Sequence, residues 1–227
     1  MAGFLLRFRG ISAMVRIMQR AASFAGVILA AGESSRMGMD KALLPWPPQT
    51  GERLPSRATF LSAAIRSFAF STDFVVVIVG KNEEAVAPAA FAEGASVVVN
   101  PDPDRGQFSS LQVGLHEVLN RGRDAAMITL VDRPPVSRAT IELLRNVFEA
   151  TPKIWAVVPA FEGKHGHPLL IGRELIEAFL QAPPTASARE IEHRFQDRIE
   201  YVEVEDRFVA ININTPDDYA ALVTKRS

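Results

Sequence analysis

Three segments of this 227-residue chain combine small residues, charge and side-chain oxygens in the way that anion and cation chemistry needs. The first runs Ala30-Ala31-Gly32-Glu33-Ser34-Ser35-Arg36-Met37-Gly38-Met39-Asp40-Lys41. Small residues let the backbone turn and present N–H groups to an anion, and Arg36 and Lys41 add two cations to the same loop. Such a loop suits a triphosphate. It is not a Walker A loop, because no Gly-Lys-Ser/Thr follows at the required spacing, and it lacks the Gly-x-Gly-x-x-Gly dinucleotide fingerprint. Without an anion to hold, it would be an ordinary turn between strand and helix.

The second segment is Leu130-Val131-Asp132-Arg133-Pro134-Pro135. An acid directly after a buried strand is placed to hold Mg2+, which prefers carboxylate and phosphate oxygens. The competing use of such an Asp is to cap a turn or helix. The third segment, Asn100 to Leu111 (NPDPDRGQFSSL), carries Ser109 and Ser110 at the expected start of a helix. Their hydroxyls and N–H groups suit a base or a phosphate; plain N-capping is the alternative.

Two later segments are less decisive alone. Gly163-Lys164-His165-Gly166-His167-Pro168 offers a cation and two imidazoles, which suits a metal pair, a substrate-contacting loop or a plain turn. In Ile211-Asn212-Ile213-Asn214-Thr215-Pro216, an extended backbone puts Asn212 and Asn214 on one side, where an amide oxygen can serve as a Mg2+ ligand. Thr215 as N-cap with Pro216 at the first helical position is predicted whatever the asparagines do.

The elements that must position these residues follow from periodicity. Continuous apolar runs at Phe24–Ala30, Phe74–Val79, Ala95–Val99, Ala125–Val131 and Ile154–Val158 predict buried parallel strands. Between them lie helix-period segments: 58–68, 82–91, a helix beginning at Ser109 or Ser110, and one capped by Ser137. Strand-helix alternation predicts βαβ units and a mostly parallel sheet, whose ligands bind beyond the carboxyl ends of the strands. After residue 160 a short strand is expected near Leu169–Ile171. Helices are expected from Arg173, at 186–196 and at 216–223, with a strand at 199–205. The Pro-rich stretch 45–57 is predicted to be a surface loop.

Composition narrows the class. With no Cys, disulfides, thiolate metal sites and a cysteine nucleophile are excluded. A net charge of −1 gives no reason to expect nucleic acid. No apolar run approaches the ~20 residues a membrane span needs, so a cytoplasmic location is expected. Residues 1–32 hold Arg7, Arg9, Arg16 and Arg20 and no acid. Arginines interrupt the apolar stretch there, which argues against a secretory signal. Residues 1–22 are therefore expected to be a basic arm outside the fold, and 23–227 the folded domain.

Together the segments resemble the molybdenum cofactor nucleotidyltransferases, the MobA-like NTP transferases, from about Gly26 to Leu222. The family signature LAAGxSxRMGxxKxLLP is met by Leu29 to Pro45 (LAAGESSRMGMDKALLP). Its Asp-x-Pro motif is met by Asp132-Arg133-Pro134, and its terminal NxNTP motif by Asn212 to Pro216. Ala31, the Gly106-to-Leu111 segment and Gly166-His167-Pro168 resemble the cytidylyl branch; the asparagines resemble the guanylyl branch. Arg133 stands where the cytidylyl branch usually has Gln, Asn212 replaces a usual Asp, and 47–58 is longer than usual.

The resemblance implies a single-domain, Rossmann-like α/β fold of the nucleotide-diphospho-sugar transferase type. It implies transfer of a nucleotidyl group from a Mg2+-bound NTP, CTP favoured, to a phosphate-bearing acceptor, with molybdopterin leading and pyrophosphate released. Arg36, Lys41 and Asp132 would carry catalysis. Leu29, Ala30, Ala31, Gly32, Ser109 and Ser110 would join Arg36 and Lys41 around the nucleotide. Asp132 with Asn212 or Asn214 would hold the metal, and His167 would contact the acceptor. The alternatives are a transferase for a sugar phosphate or other small metabolite, and a non-catalytic nucleotide-binding partner of a molybdoenzyme.

Overall fold

The computed structural model describes residues 22–32, 37–48 and 58–224. Eight strands form one mixed sheet: β1 (Phe24–Leu29), β2 (Phe74–Val79), β3 (Ser96–Val99), β4 (Ala125–Leu130), β5 (Ala156–Phe161), β6 (Lys164–His165), β7 (Leu169–Gly172) and β8 (Ile199–Glu203). The order is β3-β2-β1-β4-β7-β5-β6, with β8 paired to β5. The segment β3-β2-β1-β4 is parallel throughout. Its crossovers are α1 (Phe60–Ala69), α2 (Glu83–Ala92) and α3 (Gln107–Asn120). Then come α4 (Arg138–Ala150), α5 (Arg173–Gln181), α6 (Ala188–Arg194) and α7 (Pro216–Thr224).

Strand side chains alternate between two cores. Phe24 and Ile28 of β1 pack with α1, α2 and α4, while Ala25, Val27 and Leu29 pack with α3, α5 and α6. This explains why the strands read as continuous apolar runs: both faces are covered. Gly114 lets α3 approach β1, since a β-carbon there would stand 2.7 Å from Val27. A third, smaller core joins Leu44, Trp46, Phe60, Ile213 and Leu222. Through it the C-terminal segment closes against the loop that follows β1.

Several sequence expectations are corrected. The short strand expected near Leu169–Ile171 is present as β7; its antiparallel run between β4 and β5 is a direction that hydrophobicity alone does not encode. β5 starts later than Ile154 and continues through Pro159, whose carbonyl still accepts the Gly166 N–H at 2.8 Å. Helix α3 begins at Gln107, with Gly106 rather than either serine at its cap. Gly106 adopts φ +90°, a conformation that favours glycine. The stretch after Pro45 is not a plain surface loop: Trp46 is 8% exposed and packs edge-on against Phe60 and Phe208 at 4.9 and 5.7 Å. Residues 49–57 lie outside the described residues, as do 1–21 of the expected arm; Ala22 packs against the first core. Among the described residues no helix is long and apolar enough to cross a membrane.

Candidate active site

A cleft of about 280 Å3 opens at the carboxyl ends of β1 and β4, facing the start of α3. Leu29, Ala31, Gly32, Lys41, Ser110 and Asp132 line it, so six of the expected residues converge. Arg36 lies outside the described residues. Ala30 turns its side chain into the first core and contributes only backbone here.

Lys41 is placed by a short relay. Asp40 accepts the Ala42 N–H at 2.9 Å and so caps the 3-10 turn Lys41–Leu43. Lys41 Nζ then lies 3.4 Å from Asp132 Oδ2 and 3.5 Å from Asn214 Oδ1, long contacts spanning 91 and 173 residues of sequence. Asp132 Oδ1 is buried and has no hydrogen-bond partner. A buried carboxylate oxygen left open beside an amide oxygen is a donor set that fits a hard divalent cation, completed by phosphate oxygens and water. Among the described residues no three His, Cys, Asp or Glu side chains gather into a metal-holding group. The fit therefore rests on Asp132 and Asn214.

The segment carrying Asn214 is not a strand, but the expected alternation holds. Ile213 is buried and donates its N–H to the Asp132 carbonyl at 2.9 Å, while Asn212 is exposed. Thr215 and Asp218 cap α7 reciprocally: Asp218 N–H donates to Thr215 Oγ1 at 3.2 Å, and Asp218 Oδ2 accepts the N–H groups of Asn214 and Thr215, each at 2.9 Å. The Asn214 N–H, followed by the Thr215 donors, holds the Asp218 carboxyl below the usual carboxylate range.

Ser109 and Ser110 do not cap α3. Both are buried, and each hydroxyl accepts from Asn100 Nδ2 at 2.9 Å. Ser109 faces Asn100 and the Gly106 carbonyl, whereas Ser110 also reaches the cleft wall. The two histidines diverge, which removes the metal-pair reading. His165 is exposed and stacks on Tyr201 at 4.0 Å. His167 donates its main-chain N–H to Val209 O at 3.0 Å, and its ring Nδ1 is buried without a partner. Burial first, then the charge of Arg133, pushes this imidazole down to about 3.

Four residues of the cleft region escaped the sequence reading. Lys81, Asp104 and Gln107 line the cleft, and Lys81 Nζ reaches Asp104 at 2.7 Å. Asn82 stands at the N-cap of α2 but does not cap it. Its Nδ2 donates to Ala30 O at 2.8 Å and to Asp40 Oδ2 at 2.6 Å, and its Oδ1 accepts the Gly80 N–H at 3.1 Å. Forgoing an Asn cap costs a helix about 1 kcal/mol. Here the side chain instead clasps the segment after β1, at Ala30 where it leaves the strand and at Asp40 beside Lys41. An Asn directly after an apolar strand and a Gly-Lys pair was the only local signal for it.

Comparison with known proteins gives the family. The family model described as the MobA-like NTP transferase domain matches residues 26–199. The chain is 26% identical over 194 residues to the molybdenum cofactor cytidylyltransferase of Escherichia coli (strain K12), covering 85% of this chain and 92% of that one. It is 28% identical over 207 residues to a probable molybdenum cofactor guanylyltransferase of Mycobacterium avium (strain 104), covering 89% and 96%. The crystal structure of Rv0371c from Mycobacterium tuberculosis H37Rv superposes with TM-score 0.73 at 26% identity, covering 89% of this chain and 99% of that one. A manganese complex of Rv0371c superposes with TM-score 0.67 at 24% identity, over 89% and 99%. With the match spanning both the loop after β1 and the acid after β4, the chain belongs to the MobA-like NTP transferase family and is a nucleotidyltransferase.

Proposed function

We propose that this protein transfers CMP from CTP to the phosphate of a small acceptor, molybdopterin first among the candidates, and releases pyrophosphate. The observation that carries the reading is the open Asp132 Oδ1 beside Lys41, at the mouth of a loop that exposes Gly32. The triphosphate lies along Gly32 and Lys41, with Arg36 as the second cation. Asp132 and Asn214 hold Mg2+, and Asn212, farther out, completes its surroundings through water. The manganese reported for Rv0371c supports a divalent ion. When bound, that ion supplies charge neutralisation on the triphosphate.

The acceptor's phosphate oxygen attacks the α-phosphorus in line. One P–O bond forms, the α–β bridging P–O bond breaks, and the electron pair leaves with pyrophosphate. The nucleophile is already an anion, so no strong general base is needed, and catalysis is positioning plus charge stabilisation. His167 contributes on the acceptor side. Ser110 supports the nucleotide from the cleft wall, and Ser109 acts behind it through Asn100.

The base preference rests on Ala31. It lines the cleft, where its methyl group narrows the space a purine would take; the names of the relatives divide between cytidylyl and guanylyl transfer. Pyrophosphate release with CTP, GTP, ATP and UTP, each tested with molybdopterin and with simple phosphomonoesters, tests the reading. Turnover with CTP and molybdopterin is expected. Turnover with sugar phosphates alone would move the acceptor to that class, and none with any pair would leave a binding protein.

A further inference from the structure

The loop carrying His167 and the turn carrying Arg133 are both hydrogen-bonded to the segment that runs from Val209 to Ile213. Arg133 N–H donates to Leu130 O at 3.0 Å, Ile213 N–H to Asp132 O at 2.9 Å, and His167 N–H to Val209 O at 3.0 Å. A β-carbon at Gly166 would collide with the Val209 carbonyl, so the loop can pack this closely only with glycine there. Beside this segment two polar groups are left wanting. Arg133 is half-buried; among the described residues its one side-chain hydrogen bond is a long one, from Nη1 to Ile211 O at 3.3 Å, and its Nε is buried without a partner. His167 Nδ1 is likewise buried without a partner.

A guanidinium carries five donors in a planar fork, and leaving even one of them buried and unmet, as Nε is here, is costly. Among the described residues no carboxylate forms an ion pair with Arg133. Asp132, the next residue along the chain, makes its ion pair with Lys41 instead. The partner missing from this arrangement is an anion with several acceptor oxygens. A phosphomonoester matches the fork, since planar bidentate recognition of phosphate is what arginine does best. Neither Arg133 nor His167 lines the cleft that holds Gly32 and Lys41, so a triphosphate there would not satisfy them.

We propose that Arg133 and His167 form a separate oxyanion subsite, across Asp132 from the triphosphate cleft, that takes the terminal phosphate of a phosphomonoester acceptor. The subsite rests on the nucleotidyl-transfer reading for its role but not for its ligand chemistry. His167 stays neutral at working pH, so it offers a hydrogen bond without adding charge, and Arg133 supplies the single permanent cation.

The test uses phenyl phosphate as the probe, titrated calorimetrically into the whole protein. Each titration is run with and without a CTP analogue carrying a non-cleavable α,β-methylene link. Wild-type binding of phenyl phosphate should survive saturation with the analogue. Arg133→Gln should weaken it about tenfold or more, Arg133→Lys less, and His167→Gln about threefold, with analogue affinity held within about twofold. Should Arg133→Gln fail to fold, the intermediate loss in Arg133→Lys carries the same information. The subsite is overturned if the analogue displaces phenyl phosphate, if the Arg133 variants bind it like wild type, or if analogue binding falls in parallel. Arg133-dependent binding of phenyl phosphate without any analogue binding would leave the subsite standing and remove the nucleotidyl-transfer reading instead.

Discussion

The two ends of the site are built differently. The end proposed to hold the triphosphate sits on parallel strands β1, β2 and β4, whose carboxyl ends deliver Gly32, Lys81 and Asp132 to one cleft. The end proposed for the acceptor hangs on the antiparallel side of the sheet, where the β5–β6 hairpin, β7 and the 3-10 turn Arg207–Ala210 bring His167 within the electrostatic reach of Arg133. At the first end, among the described residues, the buried side-chain polar atoms have partners apart from Asp132 Oδ1. At the second, Arg133 Nε and His167 Nδ1 are buried and unpaired. Paired donors make a loop rigid before substrate arrives, whereas unpaired buried donors store a preference for a ligand that will pair them.

Substitutions at the first end should break catalysis most. Asp132→Ala is expected to abolish metal-dependent transfer with the melting temperature little changed, because the residue lies past a strand end. Lys41→Ala should cost about 10²-fold or more in kcat, the scale of losing a preorganised charge stabiliser. Pyrophosphate release and a thermal melt on each variant check both; near-normal rates would reverse the assignment of the two ends.

The clasp is the next test. Asn82 touches no substrate in this scheme, so it is a positioning residue. Asn82→Ala should lower kcat/KM for CTP about tenfold by loosening the loop that carries Lys41. Asn82→Asp should be worse, since it faces the Asp40 carboxylate at the 2.6 Å contact. Adding Asp40→Asn to Asn82→Asp should recover part of the loss. A purely structural role would instead lower the melting temperature in step with activity and show no such recovery.

The base preference follows. A CTP over GTP ratio in kcat/KM of about tenfold is expected, equivalent to ~1.4 kcal/mol, and Ala31→Gly should narrow it. An unchanged ratio would show that Ala31 does not set it.

A pH titration of stability sharpens the acceptor end. His167 titrates near 6.5 when unfolded and at about 3 when folded. Protons bind the unfolded chain first as the pH drops, so stability is full above 6.5 and is lost progressively between 6.5 and 3. By one pH unit below the unfolded value the loss from this residue is about 1.4 kcal/mol. His167→Gln should remove that part of the slope in denaturant melts at stepped pH.

The smallest effect is expected at the N-terminus. Deleting residues 1–21 should move the melting temperature by no more than about 2 °C, well below the shift that losing a packed element produces in a domain of this size. A larger drop would mean that this end contributes to the core.

Much of the first end was legible because its information is local. A strand buried on both faces declares itself by composition, and a loop of small residues with two cations carries the chemistry of the anion site proposed above. The sequence by itself therefore determined the parallel half of the sheet, the placement of Gly32, Lys41 and Asp132 at its carboxyl edge, and the cap of α7. What it could not carry is which polar atoms meet across long separations. Asn82 bonds Ala30 and Asp40 from 52 and 42 residues away, and nothing in the spacing distinguishes it from an ordinary helix cap. Ser109 and Ser110 look like caps until Gly106 starts the helix earlier and Asn100 claims both hydroxyls. His165 and His167 look like a pair until the turn of the chain between them sends one ring to Tyr201 and buries the other near Arg133. In each case residue type sets what a side chain can bond, but only the packed chain decides which partners remain unmet, because burial removes the water that would otherwise serve every donor equally.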